Sequence, residues 1–454
     1  MPFTCIFAPD FKSNNMKRKL TLFVFTLLFA GITVAQQEEK KPAFGITFSG
    51  FVKTDLIFDT RQTVGLRDGH FLLYPENERL DADGKDINAQ ASYNILSIQT
   101  RLAGNITGPN ALGAKTSGYL EAEFFGNINP NINSFRLRHA WIKLNWKSTE
   151  LMTGQWWHPM FLPECSPATV SFNTGAPFVV FSRNPQIKLT QSFGKFKIAL
   201  TAMSQVDFMS DGPDGPNTRY IRNAVIPETN LQLQFATKND EKGTEFMIGA
   251  GINYQVLKPR LSTTVILQPA YDTVEGGLVV HHDAVTQSFK TNTKTSAFAG
   301  NFYSKLKLKK VTLKIGGEYG ENNNAYTMLG GYVVKSVTDA ARNYVDYANV
   351  RSFATWLDVH TNGARWQPGI LLAYGKNLGV GENVIGPYYT RGRDIDYLYR
   401  ISPRLVVNAG KFRIAGEVEY TVAAYGKAVS TKGYVSDTKE IGNLRALIGV
   451  FYFF

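Results

Sequence analysis

From Phe44 onward the chain alternates. Phe44, Ile46, Phe48, Val52, Leu56 and Phe58 interleave with Thr47, Ser49, Lys53, Asp55 and Asp59. A strand through them carries apolar groups on one face and polar or charged groups on the other. The period recurs at Leu120, Ala122 and Phe124 against Glu121 and Glu123, and at Leu231, Leu233 and Phe235 against Gln232 and Gln234. Near the end, Ile414, Val418, Tyr420 and Val422 oppose Arg413, Glu417, Glu419 and Thr421. Strands of this length with a charged face do not suit a soluble sandwich, whose strands run about five or six residues. They suit a membrane barrel of tilted strands, roughly 9–11 residues each, with lipid outside and water within.

The pattern therefore predicts an all-β fold, a transmembrane antiparallel β-barrel of 16 strands. Period-two segments lie near 44–59, 91–105, 117–126, 134–147, 150–157, 185–193, 195–206, 228–238, 244–256, 261–268, 295–308, 310–321, 352–360, 366–375, 395–407, 411–425 and 441–454. That is one too many for a single-chain barrel with both ends on the same side. Segment 261–268 is the one to remove. Pro259, Pro269 and Gly276-Gly277 bracket it, and Leu278 to His281 offers it a partner, so 257–294 reads as one external loop containing a small hairpin. The remaining strands alternate between short turns and the loops 60–90, 158–184, 207–227, 257–294, 322–351, 376–394 and 426–440, with 127–133 the short exception. This asymmetry is expected of outer-membrane barrels.

The final strand adds a separate signal. Ala446, Ile448, Val450, Tyr452 and Phe454 occupy alternate positions, with Asn443 and Arg445 on the other face. Such a terminal-Phe strand resembles the assembly signal of bacterial outer-membrane barrels, which implies uptake by the barrel-assembly machinery. At the other end, Met16-Lys17-Arg18-Lys19 precedes the apolar run Leu20 to Ile32 and the small-residue close Thr33-Val34-Ala35. Residues 16–35 read as a cleaved signal peptide. Residues 1–15 read as an extension ahead of the true start, 36–43 as a short N-terminal segment, and 44–454 as the barrel.

Composition refines this picture. Aromatic residues make up 13% of the chain and charged residues 19%, which excludes a disordered polymer. Removing residues 1–35, with four basic and one acidic residue, takes the formal charge from +12 to +9. The excess is spread across strands without a basic block, so no nucleic-acid partner is expected. Anionic outer-membrane lipid and lipopolysaccharide are the natural partners of basic rims. Cys165 alone remains after cleavage, and such a thiol reads as a packed small residue. Asp81-Ala82-Asp83-Gly84-Lys85-Asp86 resembles part of a calcium loop but lacks the later Glu, and reads as a solvated turn. His281-His282-Asp283 sits on a strand whose neighbours face opposite ways, so no metal site is assigned. There is no G-x-S-x-G elbow, H-E-x-x-H or P-loop, and no catalytic residue or cofactor is assigned.

The most distinctive stretch is 134–162, SFRLRHAWIKLNWKSTELMTGQWWHPMFL. Arg136 and Arg138 alternate with Phe135 and Leu137, and the phase changes between His139 and Trp141, where a bulge is expected. A turn at Ser148-Thr149 leads to Gly154-Gln155-Trp156-Trp157. This hairpin resembles that of Gram-negative porins, particularly the DcaP-like and phosphate-selective O/P group. FSGFVKTDLIFDT (48–60), LEAEFFG (120–126) and RNPQIKLTQSFGKF (183–196) resemble it too. The resemblance implies an outer-membrane homotrimer that passes small hydrophilic or anionic solutes, with loop 158–184 folded inward. Arg101, Arg136 and Arg138 would then line the constriction, Arg61 and Arg183 its mouth, with Glu121 and Glu123 beside them. A ring of arginine favours anions, yet those carboxylates could equally pair with it and hold the wall. On this reading Arg138→Glu spares folding and turns selectivity toward cations. The alternative is a non-conducting barrel serving adhesion or as a surface scaffold, with loops 257–294 and 322–351 as its working parts.

Overall fold

The computed structural model describes residues 44–126 and 129–454. The signal peptide and the two short segments around it lie outside these residues. Sixteen antiparallel strands close into one barrel. They are β1 (Gly45–Asp59), β2 (Arg101–Thr107), β3 (Lys115–Phe124), β4 (Phe135–Asn145), β5 (Thr149–Trp157), β6 (Arg183–Phe193), β7 (Phe196–Met203) and β8 (Glu228–Asn239). The second half comprises β9 (Thr244–Leu257), β10 (Thr295–Lys307), β11 (Val311–Glu321), β12 (Tyr344–Thr361), β13 (Trp366–Asn377), β14 (Ile395–Ala409), β15 (Phe412–Val429) and β16 (Val435–Phe453). Closure is made by β1 on β16, from Phe51 opposite Phe453 to Asp59 opposite Arg445.

Period two sets the two faces. On β16, Ile448 and Tyr452 are about half exposed, whereas Asn443 and Arg445 are fully buried inside. Phe44, Phe48 and Leu56 point outward while Lys53 and Asp55 point in. The exposed apolar belt is therefore the lipid face of a membrane barrel, and the enclosed polar face is its lumen. Ile142 on β4 is 63% exposed on that belt, between Gly118 and Thr153. Ile142→Arg is expected to destabilise the barrel by about 2–4 kcal/mol near the midplane. Urea unfolding in phospholipid vesicles reads this directly, and an unchanged midpoint would remove Ile142 from the lipid face.

Three segments differ from the sequence pattern. The span 91–105 is two pieces, Ser92–Leu96 and β2, because Thr100 accepts a hydrogen bond from the Lys53 N–H where the ladder breaks. Strands β12, β15 and β16 run well beyond the predicted limits, so 426–440 is mostly a strand hairpin that turns at 430–434. Beyond the membrane these ends meet loops and water instead of lipid, as where Val345 and Tyr347 pack with Tyr332, and the apolar alternation that marks a wall strand is lost there. Segment 257–294 is an external arm as expected, but Ser262–Gln268 pairs with Val285–Lys290. Leu278–His282 instead folds onto Tyr271–Glu275 across Gly276-Gly277, both at positive φ, which makes the nearer strand its partner.

Candidate functional site

The lumen is furnished by loops that enter from the long-loop end. Loop 158–182 crosses the interior, gripped along its backbone by wall charges. Lys314 Nζ donates to the Ser166 carbonyl (2.7 Å), Lys53 Nζ to that of Val170 (3.1 Å) and Arg400 to that of Ala176 (2.8 Å). The Glu417 carboxylate accepts the Val170 and Ser171 amides at 2.6 and 2.7 Å. These charge-assisted bonds add to partners that the inward charges already have on the wall, Asp55 for Lys53 and Glu419 for Arg400, and fix the loop to them.

A second loop enters beside it, which no periodicity in residues 60–90 signals. Thr63–Leu66 and Phe71–Pro75 form a hairpin inside the barrel. Arg445 Nη2 donates to the Gly69 carbonyl (2.7 Å), Arg400 to that of Leu73 (3.0 Å), and His70 Nε2 meets Asp55 at 2.8 Å. Phe71, Phe125, Phe172, Phe181 and Phe208 pack together where these loops meet, with Phe125 and Phe172 ring centres 4.2 Å apart. At this level the lumen holds an aromatic core where the strand count alone suggested open water.

Against that core lies one ion-pair network. Glu123 faces four arginines: Arg138 at 2.7 Å, Arg101 and Arg136 at 3.1 Å, and Arg183 at 3.4 Å. Glu121 takes Arg138 at 2.6 Å and Arg101 at 3.7 Å, and accepts the Tyr119 hydroxyl at 2.7 Å. Asp207, from the loop after β7, takes Arg183 at 2.6 Å, Arg136 at 2.9 Å and Arg67 at 3.5 Å. Five arginines thus share three carboxylates, leaving two positive charges in excess. Aromatic faces cover the guanidinium planes: Arg67 over Phe125 (4.5 Å), Arg183 over Trp157 (5.3 Å), and Arg138 over Trp157 (5.5 Å).

Of the seven residues expected at the constriction or its mouth, six (Arg101, Glu121, Glu123, Arg136, Arg138 and Arg183) come together here. Arg138 and Arg183 are fully covered, whereas the side chains of Arg101 and Arg136 retain 18% and 13% exposure. Arg61 does not join them; it pairs with Asp86 at 3.1 Å and donates to the Glu76 carbonyl. Sequence reasoning missed Arg67 and Asp207, which lie in loops without periodicity. The bulge falls just ahead of the expected place between His139 and Trp141. Glu121 opposes His139 and Ala122 opposes Leu137, so Arg138 is the extra residue and both Arg138 and His139 turn inward.

Below loop 158–182, toward the short turns, a cavity of about 570 Å³ opens between β4 and β10. Lys143, Lys147, Lys188 and Lys197 line it with Glu150 and Glu164, again a positive excess. Cys165 sits beside its roof, buried, with its thiol donating to the Ser304 carbonyl and its pKa pushed up to about 12 by burial. It is a packed thiol, unreactive near neutral pH. Asp81 and Asp86 each accept two backbone amides of their own turn, and Asp86 also holds Arg61. Among the described residues no group of three or more His, Cys, Asp or Glu side chains is arranged for a metal. Ser352 is buried in the lumen on a bond to the Leu329 carbonyl, while His360 lies further down the same strand beside Asp358.

No protein-family model matches the chain, and no curated protein sequence does. Solved structures do match. The outer-membrane channel DcaP of Acinetobacter baumannii superposes with a TM-score of 0.60 at 12% identity, covering 90% of this chain and 97% of its own. The anion-selective porin from Comamonas acidovorans gives 0.49 at 12% identity over 91% and 100%. In-vitro folded OmpT, an outer membrane protein of Vibrio cholerae, gives 0.49 at 10% over 92% and 100%. At such identity the likeness to DcaP is one of fold, and the two looser superpositions add nothing to it. What the chain shares with DcaP is the closed antiparallel β-barrel fold.

Proposed function

We propose that the protein is an outer-membrane porin through which small hydrophilic solutes, anions by preference, diffuse down their gradients. One observation carries this: positive charge runs down one wall of the lumen, from the five-arginine network to the four lysines of the cavity below. Within a low-dielectric wall such a line focuses positive potential and concentrates anions. The short turns then face the periplasm and the long loops the exterior. Assembly as a homotrimer, contact with lipopolysaccharide and delivery by the barrel-assembly machinery through the Ala446–Phe454 strand belong to the same proposal.

On this reading the members of the network have different tasks. Arg138 and Arg183, covered and multiply paired, hold the wall, whereas Arg101 and Arg136 keep surface for a passing ion. Arg138→Glu would set a third carboxylate beside Glu121 and Glu123, so it is expected to impair folding and is a poor probe of selectivity. The Arg101→Gln, Arg136→Gln double variant is the better one. In a planar bilayer under a KCl gradient, its anion-to-cation permeability ratio should fall by about an order of magnitude. An unchanged ratio in an open channel would confine these arginines to holding the wall.

A second reading has one observation in its favour. The aromatic core around Phe172 packs across the interior, as it would in a non-conducting surface scaffold.

A further inference from the structure

Helix α1 (Arg219–Ala224) and the segment 225–227 lie over the outer face of the barrel, at the long-loop ends of β5, β6 and β7. Beneath them is a groove of about 540 Å³, lined by Thr153, Ile187, Ala202, Ile221, Val225 and Ile226. It opens toward lipid: Ile187 and Val225 are 59% and 84% exposed. Val225 holds φ +61, a left-handed conformation costly for a β-branched residue. Strain of that kind persists where surrounding structure imposes it, commonly at ligand sites. The one charged residue lining the groove is Arg222, exposed and without an ion-pair partner among the described residues. Lys294 Nζ brings a second cation to the same helix end, 2.8 Å from the Ala224 carbonyl.

We propose that this groove binds one phosphorylated lipid of the outer leaflet, an acyl chain lying along Ile187, Val225 and Ile226 and a phosphate meeting Arg222 and Lys294. Apolar walls exclude free phosphate, and the cations at the mouth select against an uncharged lipid. The inference rests on long loops facing the exterior, which places the mouth at headgroup level.

The test uses the refolded barrel in detergent, with hexa-acyl diphosphoryl lipid A as probe and dioleoylglycerol as uncharged control, read by native mass spectrometry. One lipid A per chain should be retained. Arg222→Gln should weaken retention about fivefold, and with Lys294→Gln about thirtyfold. Val225→Gly, which relieves the backbone, should also weaken it without harming the fold. Equal retention by these variants, equal retention of dioleoylglycerol, or no retention at all would overturn the proposal. Conductance of the same preparations reports on the channel separately, so failure of one proposal is distinguishable from failure of the other.

Discussion

Glu123→Leu is expected to destabilise the barrel by about 3–5 kcal/mol, the usual consequence of breaking a buried ion pair from one side. The side chain is fully buried and serves four guanidinium groups, more than any other carboxylate in the lumen. Its loss leaves Arg138 with Glu121 alone and Arg183 with Asp207 alone, and the five arginines with only two carboxylates. Loops 60–91 and 204–227 should loosen with it, because Arg67 and Asp207 tie those loops into the network. A drop in the guanidinium midpoint measures the effect. Pairing the change with Arg138→Met should recover part of the loss, since an apolar pair replaces an orphaned charge. A single variant as stable as the parent would mean that the arginines are solvated, and that the network is not a structural unit.

The second large effect concerns the loop hairpin within the lumen. Replacing residues 63–75 with a short Gly-Ser linker is expected to raise open-channel conductance several-fold. Phe71, Leu72 and Leu73 are fully buried there, so the hairpin fills cross-section that a barrel of this strand number leaves to water. The wall itself is held by interstrand ladders that the deletion leaves intact, so the barrel should still fold and migrate as heat-modifiable. Unchanged conductance from such a folded barrel would show that loop 158–182 alone sets the resistance.

What the sequence made legible follows from which physical signals are periodic. All sixteen wall strands could be read, because lipid on one side and water on the other impose an alternation that Leu120-Glu121-Ala122-Glu123 or Val418-Glu419-Tyr420-Thr421 cannot hide. Arg136 and Arg138 were legible for the same reason. The contents of the lumen were not. Phe71-Leu72-Leu73-Tyr74 is an unbroken apolar run, which signals burial without saying against what. Asp207 is an isolated acid in a loop, and only the fold carries it to Arg136 and Arg183. Pairing in the 257–294 arm was misjudged because a nearer partner across two glycines competes with a more distant one.

The most direct test of the central claim is single-channel recording of the refolded mature chain in a planar bilayer under a KCl gradient. The account predicts discrete open steps, small for a barrel of this strand number, with a reversal potential on the anion side. Silence from protein shown to be folded would contradict it and would favour the surface scaffold.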